Sequence, residues 1–272
     1  MIPAPFTYKR ASSVDEAVDL AARSGEDAKF LAGGHSLLPL MKLRLAVPEV
    51  LIDIGRIGEL SYVRDDGGQI LVGALTSHDE LARSSVLASE LPLLAHAASQ
   101  VGDPQVRHRG TIGGSLVHAD PAADLPAVVL ALDATLVARG PSGTREIAAG
   151  DFFQSLFETV LQPGELLTEI RIPKPPNRGW AFQKFTKRAI DWAIVGVAVQ
   201  GGNVALVNMG QTPVRASGVE QALAGGAGPR DAAAHAAEQT SPPADINADS
   251  GYREHLARVL VGRALEEAAT RA

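Results

Sequence analysis

The 272-residue chain contains no cysteine. It makes no disulfide and offers no thiolate to zinc or to an iron–sulfur cluster, so any such cluster in its working assembly sits on another polypeptide. Aromatic residues make up 4% of the chain, with no stacking stripe and no basic run beside them, and 25 Lys+Arg against 31 Asp+Glu leave a formal net charge of -6. That combination argues against nucleic-acid binding. No segment supplies the ~18 uninterrupted apolar residues of a membrane span. Residues 1–6 lack a basic stretch followed by an apolar core, so no signal peptide is expected. A hydrophobic content of 46% with 21% charged residues is that of a soluble globular protein. The length suffices for a substantial core in one large domain or two to three small ones.

Glycine and small hydroxyl residues are what the chain does have. The most informative run is Arg109-Gly110-Thr111-Ile112-Gly113-Gly114-Ser115, followed by Leu116-Val117-His118-Ala119-Asp120-Pro121-Ala122-Ala123-Asp124. Gly113 and Gly114 lack a Cβ, so they can take positive φ and let backbone N–H groups approach an anionic oxygen. Thr111 and Ser115 add hydroxyl donors, which together suit a pyrophosphate. Asp120 and Asp124 would repel phosphate and are better suited to accepting hydrogen bonds from ribityl or sugar hydroxyls. On this run alone, a Gly-Gly turn followed by an Asp-Pro helix start is an equally good account. A second loop with the same chemistry, Ala32-Gly33-Gly34-His35-Ser36 after the apolar Phe30-Leu31, weakens the turn account, because two such loops can hold a diphosphate between them.

The rest of the chain reads as alternating short elements. Ser12 or Ser13 caps a helix carrying Val14, Ala17, Val18, Ala21 and Ala22, which Ser24-Gly25 ends. Residues 28–32 form a strand entering the first glycine loop, and 50–54 a buried β-branched strand. Residues 62–72 form a hairpin about an Asp-Gly turn. Helices are expected from Ser77, from Pro92 to Gln100 and from Asp151, and strands at 135–139 and 166–172. Pro173-Lys174-Pro175-Pro176-Asn177 is the clearest linker and marks a domain boundary. Beyond it, 180–186, 193–201 and 203–209 read as strands, 219–224 and 230–238 as helices, and 252–269 as a long amphipathic helix with Leu256, Val259, Leu260, Val261 and Leu265 on its apolar face. Without strict βαβ alternation the fold class is α+β.

Other chemistry is thinner. His118, Asp120 and Asp124 could be metal ligands, yet no second cluster completes a shell. His78, His96 and His108 show no catalytic context and read as surface or satisfied core histidines. Ser36 and Ser115 lack a nucleophile elbow. Gly225-Gly226-Ala227-Gly228 follows a helix, not a strand, and is no dinucleotide fingerprint.

The pair A-G-G-H-S at 32–36 and T-I-G-G-S at 111–115, followed by A-D-P-A-A-D at 119–124, resembles the FAD-binding medium subunit of the molybdenum hydroxylases, typified by aerobic carbon monoxide dehydrogenase, and the FAD domain of xanthine dehydrogenase. M-K-L-R-L-A at 41–46, L-I-D-I at 51–54 and P-P-A-D-I-N-A-D-S-G-Y-R-E-H-L-A at 242–257 extend the resemblance over nearly the whole chain. It implies a two-part FAD-binding domain of the vanillyl-alcohol-oxidase-like (PCMH) type over residues 1–175, with subdomains at about 1–55 and 56–175. A C-terminal domain with a three-stranded antiparallel sheet and helices would follow over 178–272. FAD would be held noncovalently by the two glycine loops. By the same resemblance Lys184 and Asp191 lie beside the isoalloxazine, Trp192 packs on it, and Leu167 contacts the adenine side. A solvent-facing strand with Lys184 paired to an acid is the plainer alternative.

The implied partners are a large molybdopterin subunit and a small subunit with [2Fe-2S] clusters, in a dimer of heterotrimers. The chain would pass electrons from those clusters to an external acceptor, in the cytoplasm or at the inner face of the membrane through the complex. Two rivals are a self-sufficient flavin oxidoreductase and a scaffold that kept the fold. The first needs a substrate pocket and base that the sequence does not offer. The intact glycine loops and Asp124 argue against the second.

Overall fold

The computed structural model describes residues 2–176 and 178–271, so Asn177 of the expected linker lies outside the described residues. Its first sheet is parallel, with Val50–Asp53 between Thr7–Arg10 and Ala28–Leu31. The helix Val14–Ser24 begins where the Ser13 side chain accepts from Glu16 N–H, and buries Ala17, Val18 and Ala21. Ala22 shares the spacing but faces solvent. The edge strand Ala28–Leu31 runs straight into the first glycine loop and then the helix Leu37–Leu43. The loop therefore sits at the carboxyl end of a parallel strand, where ligands of open sheets bind.

The second sheet is antiparallel, in the order Val63–Asp65, Gln69–Gly73, Leu166–Pro173, Thr135–Gly140, Gly143–Ala148. The hairpin of Val63–Asp65 and Gln69–Gly73 forms at the expected Asp-Gly turn, and Thr135–Gly140 pairs with Gly143–Ala148 in a second. Six helices lie between Gln69–Gly73 and Thr135–Gly140, including His78–Arg83, whose Ser77 and Glu80 form a reciprocal capping box. The helix expected to open at Asp151 instead spans Ala149–Phe152, with Phe153 already extended.

The C-terminal sheet contains the three expected antiparallel strands, as Trp180–Phe185, Val195–Gln200 and Asn203–Val207, and a two-residue fourth, Val214–Arg215. The third stops short of Met209 because Asn208 turns into the left-handed region at φ 61. The helix expected over 230–238 is only Pro229–Ala233, followed by turns. Ser250–Ala269 packs Leu256, Leu260, Val261 and Leu265 against the sheet and also buries Arg253 completely. The main core is shared across the expected boundary: Phe182, Ala198 and Val207 cluster with Ile70, Leu94, Val128 and Ile170.

Candidate functional site

Among the described residues, the backbone N–H groups of Gly33, Gly34, His35 and Ser36 donate to no acceptor within the chain. Gly34 takes φ 78, the left-handed conformation that turns successive N–H groups to one side. The Ser36 hydroxyl makes no capping bond to the helix that follows it. The first loop is therefore an open nest of donors, as the sequence suggests.

The second loop is built differently. Gly113 and Gly114 do not take positive φ; they lie in the helix Ile112–His118, whose N-cap is Thr111. Their N–H groups are already used, Gly113 donating to the Ala74 carbonyl at 2.9 Å and Gly114 to Thr111 Oγ1 at 3.1 Å. The expectation fails because pairing with the segment 74–78 and the threonine cap settle the backbone first. Gly113 is required for proximity: a Cβ there would fall 2.6 Å from the Ala74 carbonyl oxygen. What this loop offers a ligand is the Thr111 and Ser115 hydroxyl protons at a helix N-terminus, with Gly114 exposed between them. The Ile112 side chain belongs to the core.

The two loops are in backbone contact. A Cβ on Gly33 would lie 2.0 Å from the Arg109 carbonyl oxygen and 3.1 Å from Gly110 Cα. His35 Nε2 reaches the Gln105 carbonyl at 3.2 Å, tying the first loop to the helix Pro104–Arg109 that leads into the second.

Downstream, Asp120 accepts from Ala122 N–H at 2.9 Å in a local turn. Asp124 opens the helix Asp124–Ala131 and is 5% exposed. Its Oδ2 accepts from Lys184 Nζ at 2.7 Å, and that ammonium also donates to the Gln100 carbonyl at 3.1 Å. Lys184 is thus paired with an acid, but within the protein and not on a solvent-facing strand: its side chain is 8% exposed. Burial pushes the Asp124 carboxyl up to about 6, with the Lys184 ammonium opposing the shift. Asp124 Oδ1 is buried without a partner. An acceptor so placed costs stability unless a donor reaches it.

Trp192 is 60% exposed and shares a cavity of about 280 Å³ with Asp120, Asn208, Asp245 and Arg253. Asp191 beside it is half-buried. The Leu167 side chain packs in the main core. His118 stacks on Phe157, ring centroids 5.1 Å apart, and among the described residues no cluster is arranged to hold a metal ion. Sequence reasoning gave no role to His78, which is 4% exposed, nor to Gly110, which lies against it. No local signal marks either, since T-S-H-D-E is an ordinary helix start.

A nest of open N–H groups, adjacent hydroxyls and a buried acceptor without a donor fit a cofactor bearing a diphosphate and hydroxyl groups. The comparisons agree. The family described as "FAD binding domain in molybdopterin dehydrogenase" matches residues 4–175, and the "CO dehydrogenase flavoprotein C-terminal domain" matches 180–268. The carbon monoxide dehydrogenase medium chain of Hydrogenophaga pseudoflava is 43% identical, with 98% of each chain covered. The 6-hydroxypseudooxynicotine dehydrogenase complex subunit alpha of Paenarthrobacter nicotinovorans is 40% identical over 100% of this chain and 97% of its own. A solved structure of the Hydrogenophaga pseudoflava carbon monoxide dehydrogenase, lacking the Mo-pyranopterin moiety, superposes with a TM-score of 0.96 over 100% of both chains at 43% identity. The chain belongs to the family of FAD-binding subunits of molybdopterin dehydrogenases and is an FAD-dependent oxidoreductase subunit. The α+β class and the resemblance read from the glycine motifs hold.

Proposed function

We propose that this chain is the electron-exit subunit of a molybdenum hydroxylase, holding FAD noncovalently with its diphosphate at residues 33–36 and facing Thr111, Gly114 and Ser115. The observation that carries this is the set of open N–H groups on the first loop together with the partnerless Asp124 Oδ1. The N–H groups would bind the diphosphate, and Asp124 would accept from a ribityl hydroxyl. Lys184, Asp191 and Trp192 would line the ring's surroundings, with Lys184 held in place by Asp124 and Gln100. Backbone contacts of Ala32, Ile112 and Leu167 would complete the site. Bound flavin supplies the capacity to accept and release electrons; the protein supplies binding and orientation.

Without cysteine the chain cannot ligate [2Fe-2S] clusters; we assign these to a small partner and the molybdenum cofactor to a large one. We assign residues 1–175 to FAD binding, 178–272 to the C-terminal domain, the assembly to a dimer of heterotrimers and its place to the cytoplasm. Two relatives at 43% and 40% identity carry the names of dehydrogenases for unrelated compounds, so the substrate is chosen elsewhere in the complex.

Anaerobic stopped-flow absorbance tests the reading. Flavin on the isolated chain should bleach with a chemical reductant but not with carbon monoxide, aldehydes or N-heterocycles, whereas addition of the partner subunits should permit bleaching by the complex's own substrate. Substrate-driven bleaching by this chain alone would establish the self-sufficient oxidoreductase instead.

A further inference from the structure

We propose that His78 is a positioning residue that sets the separation of the two glycine loops, acting through Gly110. The inference rests on the FAD reading above. His78 is the first residue of the helix His78–Arg83, and its N–H donates to the Gly110 carbonyl at 2.9 Å. Ile112 N–H returns a bond to the Thr76 carbonyl at 3.0 Å, so 76–78 and 110–112 are zipped together around the Ser77 and Thr111 bridge.

The imidazole lies against the bare face of Gly110. A Cβ at that position would fall 2.8 Å from His78 Cδ2 and 3.0 Å from Nε2. Gly110 also meets the first loop, since a Cβ on Gly33 would fall 3.1 Å from Gly110 Cα. Gly110 thus touches both the imidazole and the first glycine loop, and as a glycine it is the thinnest residue that can stand there. A rigid ring against it fixes how far the second loop can retreat from the first.

The ring is not held for its hydrogen bonds. Nδ1 is buried without a partner, a cost that an aliphatic side chain would avoid. Burial, with His35 and Arg107 nearby, also pushes its pKa down to about 4, so at neutral pH the spacer is uncharged and does not compete with the nest for an anion. Shape and neutrality are what the site uses.

The test is made on the full chain assembled with its partner subunits, in His78→Ala, Gly110→Ala and the double variant. Each single change should speed flavin release on dilution by about tenfold to hundredfold, the penalty for displacing positioned groups by a fraction of an ångström. Each should also alter the visible circular dichroism of the bound flavin. In the double variant the new methyl group enters the space left by the imidazole, so retention and the dichroic signal should return towards wild type, a non-additivity expected of residues in contact. If His78→Ala does not assemble, His78→Asn, which keeps a planar polar group of smaller reach, takes its place. Singles that hold flavin like wild type, or a double variant as weak as the sum of the two, would overturn the assignment. A merely structural His78 would lower the urea midpoint of the flavin-free protein and leave release and dichroism unchanged. Absence of FAD from the wild-type complex would instead overturn the cofactor reading itself.

Discussion

Gly33→Ala is the smallest change that separates a cofactor cradle from a pair of turns. Gly33 does not occupy the left-handed region, so alanine is free to adopt its backbone conformation. The added methyl carbon, however, would lie 2.0 Å from the Arg109 carbonyl oxygen, an atom of rigid backbone. Restoring an ordinary contact requires the loops to part by roughly 1 to 1.5 Å. Charge-assisted hydrogen bonds to a diphosphate do not survive such stretching. Losing two of them, at about 1.5 to 3 kcal/mol each, weakens FAD by about 3 to 6 kcal/mol. That is roughly a hundredfold to ten-thousandfold in dissociation constant. Gly34→Ala makes a useful contrast: its φ of 78 imposes strain, but the atom it meets is the movable Leu38 Cδ1 at 2.8 Å. It should cost about 1 kcal/mol of stability and less affinity than Gly33→Ala. Flavin-fluorescence titration with far-ultraviolet circular dichroism as the fold control measures both. A Gly33→Ala protein that binds FAD at wild-type strength would show that the contact between the loops does not position the cofactor.

Asp124→Ala should cost about 3 to 5 kcal/mol of stability by leaving the Lys184 ammonium buried and unpaired, beyond any loss of FAD; thermal melts against Asp124→Ala/Lys184→Met, which removes both charges, would show recovery. Because the Asp124 carboxyl rises from 3.8 to about 6, the folded chain binds more protons than the unfolded between those values, and this group's contribution to stability declines as pH rises from about 4 to 6. His78, lowered from 6.5 to about 4, does the reverse and costs stability as pH falls through the same window. Urea midpoints between pH 4 and 7 should then show Asp124→Asn more acid-labile than wild type and His78→Gln less so; unchanged slopes would refute the pairing of these opposing effects. Acid extraction should release intact FAD, and stoichiometric FMN or a protein-attached flavin would refute the two-loop reading. Trp192→Ala should change stability by no more than about 0.5 kcal/mol, as expected for an exposed side chain, while altering the fluorescence of bound flavin.

Local signals were legible wherever local physics decides. Ser13 and Ser77 capped the helices they announce, Asp66-Gly67 made its hairpin, and the β-branched run at 50–53 became the central strand of its sheet. In the first glycine loop, Gly34 takes the left-handed conformation that its missing Cβ allows. The second was misread in its backbone because Gly-Gly signals a turn only if nothing else claims the N–H groups, and here Ala74 and Thr111 claim them. Lys184 meets Asp124 across 60 positions of sequence, and Gly33 meets Arg109 across a similar span. No window of periodicity contains both members of such pairs. The burial of Arg253, whose guanidinium reaches Asp245 and the Ile194 carbonyl, was hidden likewise, because an arginine one turn into an amphipathic helix reads as solvent-facing.

The shared core bears on how this protein could be cut or inherited. Phe182, Ala198, Ala205 and Val207 pack with Leu94, Val128 and Ile170, and Lys184 supplies the countercharge of Asp124. A chain terminated after Pro175 would open that apolar cluster to water and strand the buried Asp124 carboxylate without its countercharge. The amino-terminal portion is therefore not an excisable flavin cassette, even though its motifs are complete. Gene fusions or deletions that separate it from the carboxyl-terminal sheet would have to replace a wall of its interior, so the two portions are bound to travel together.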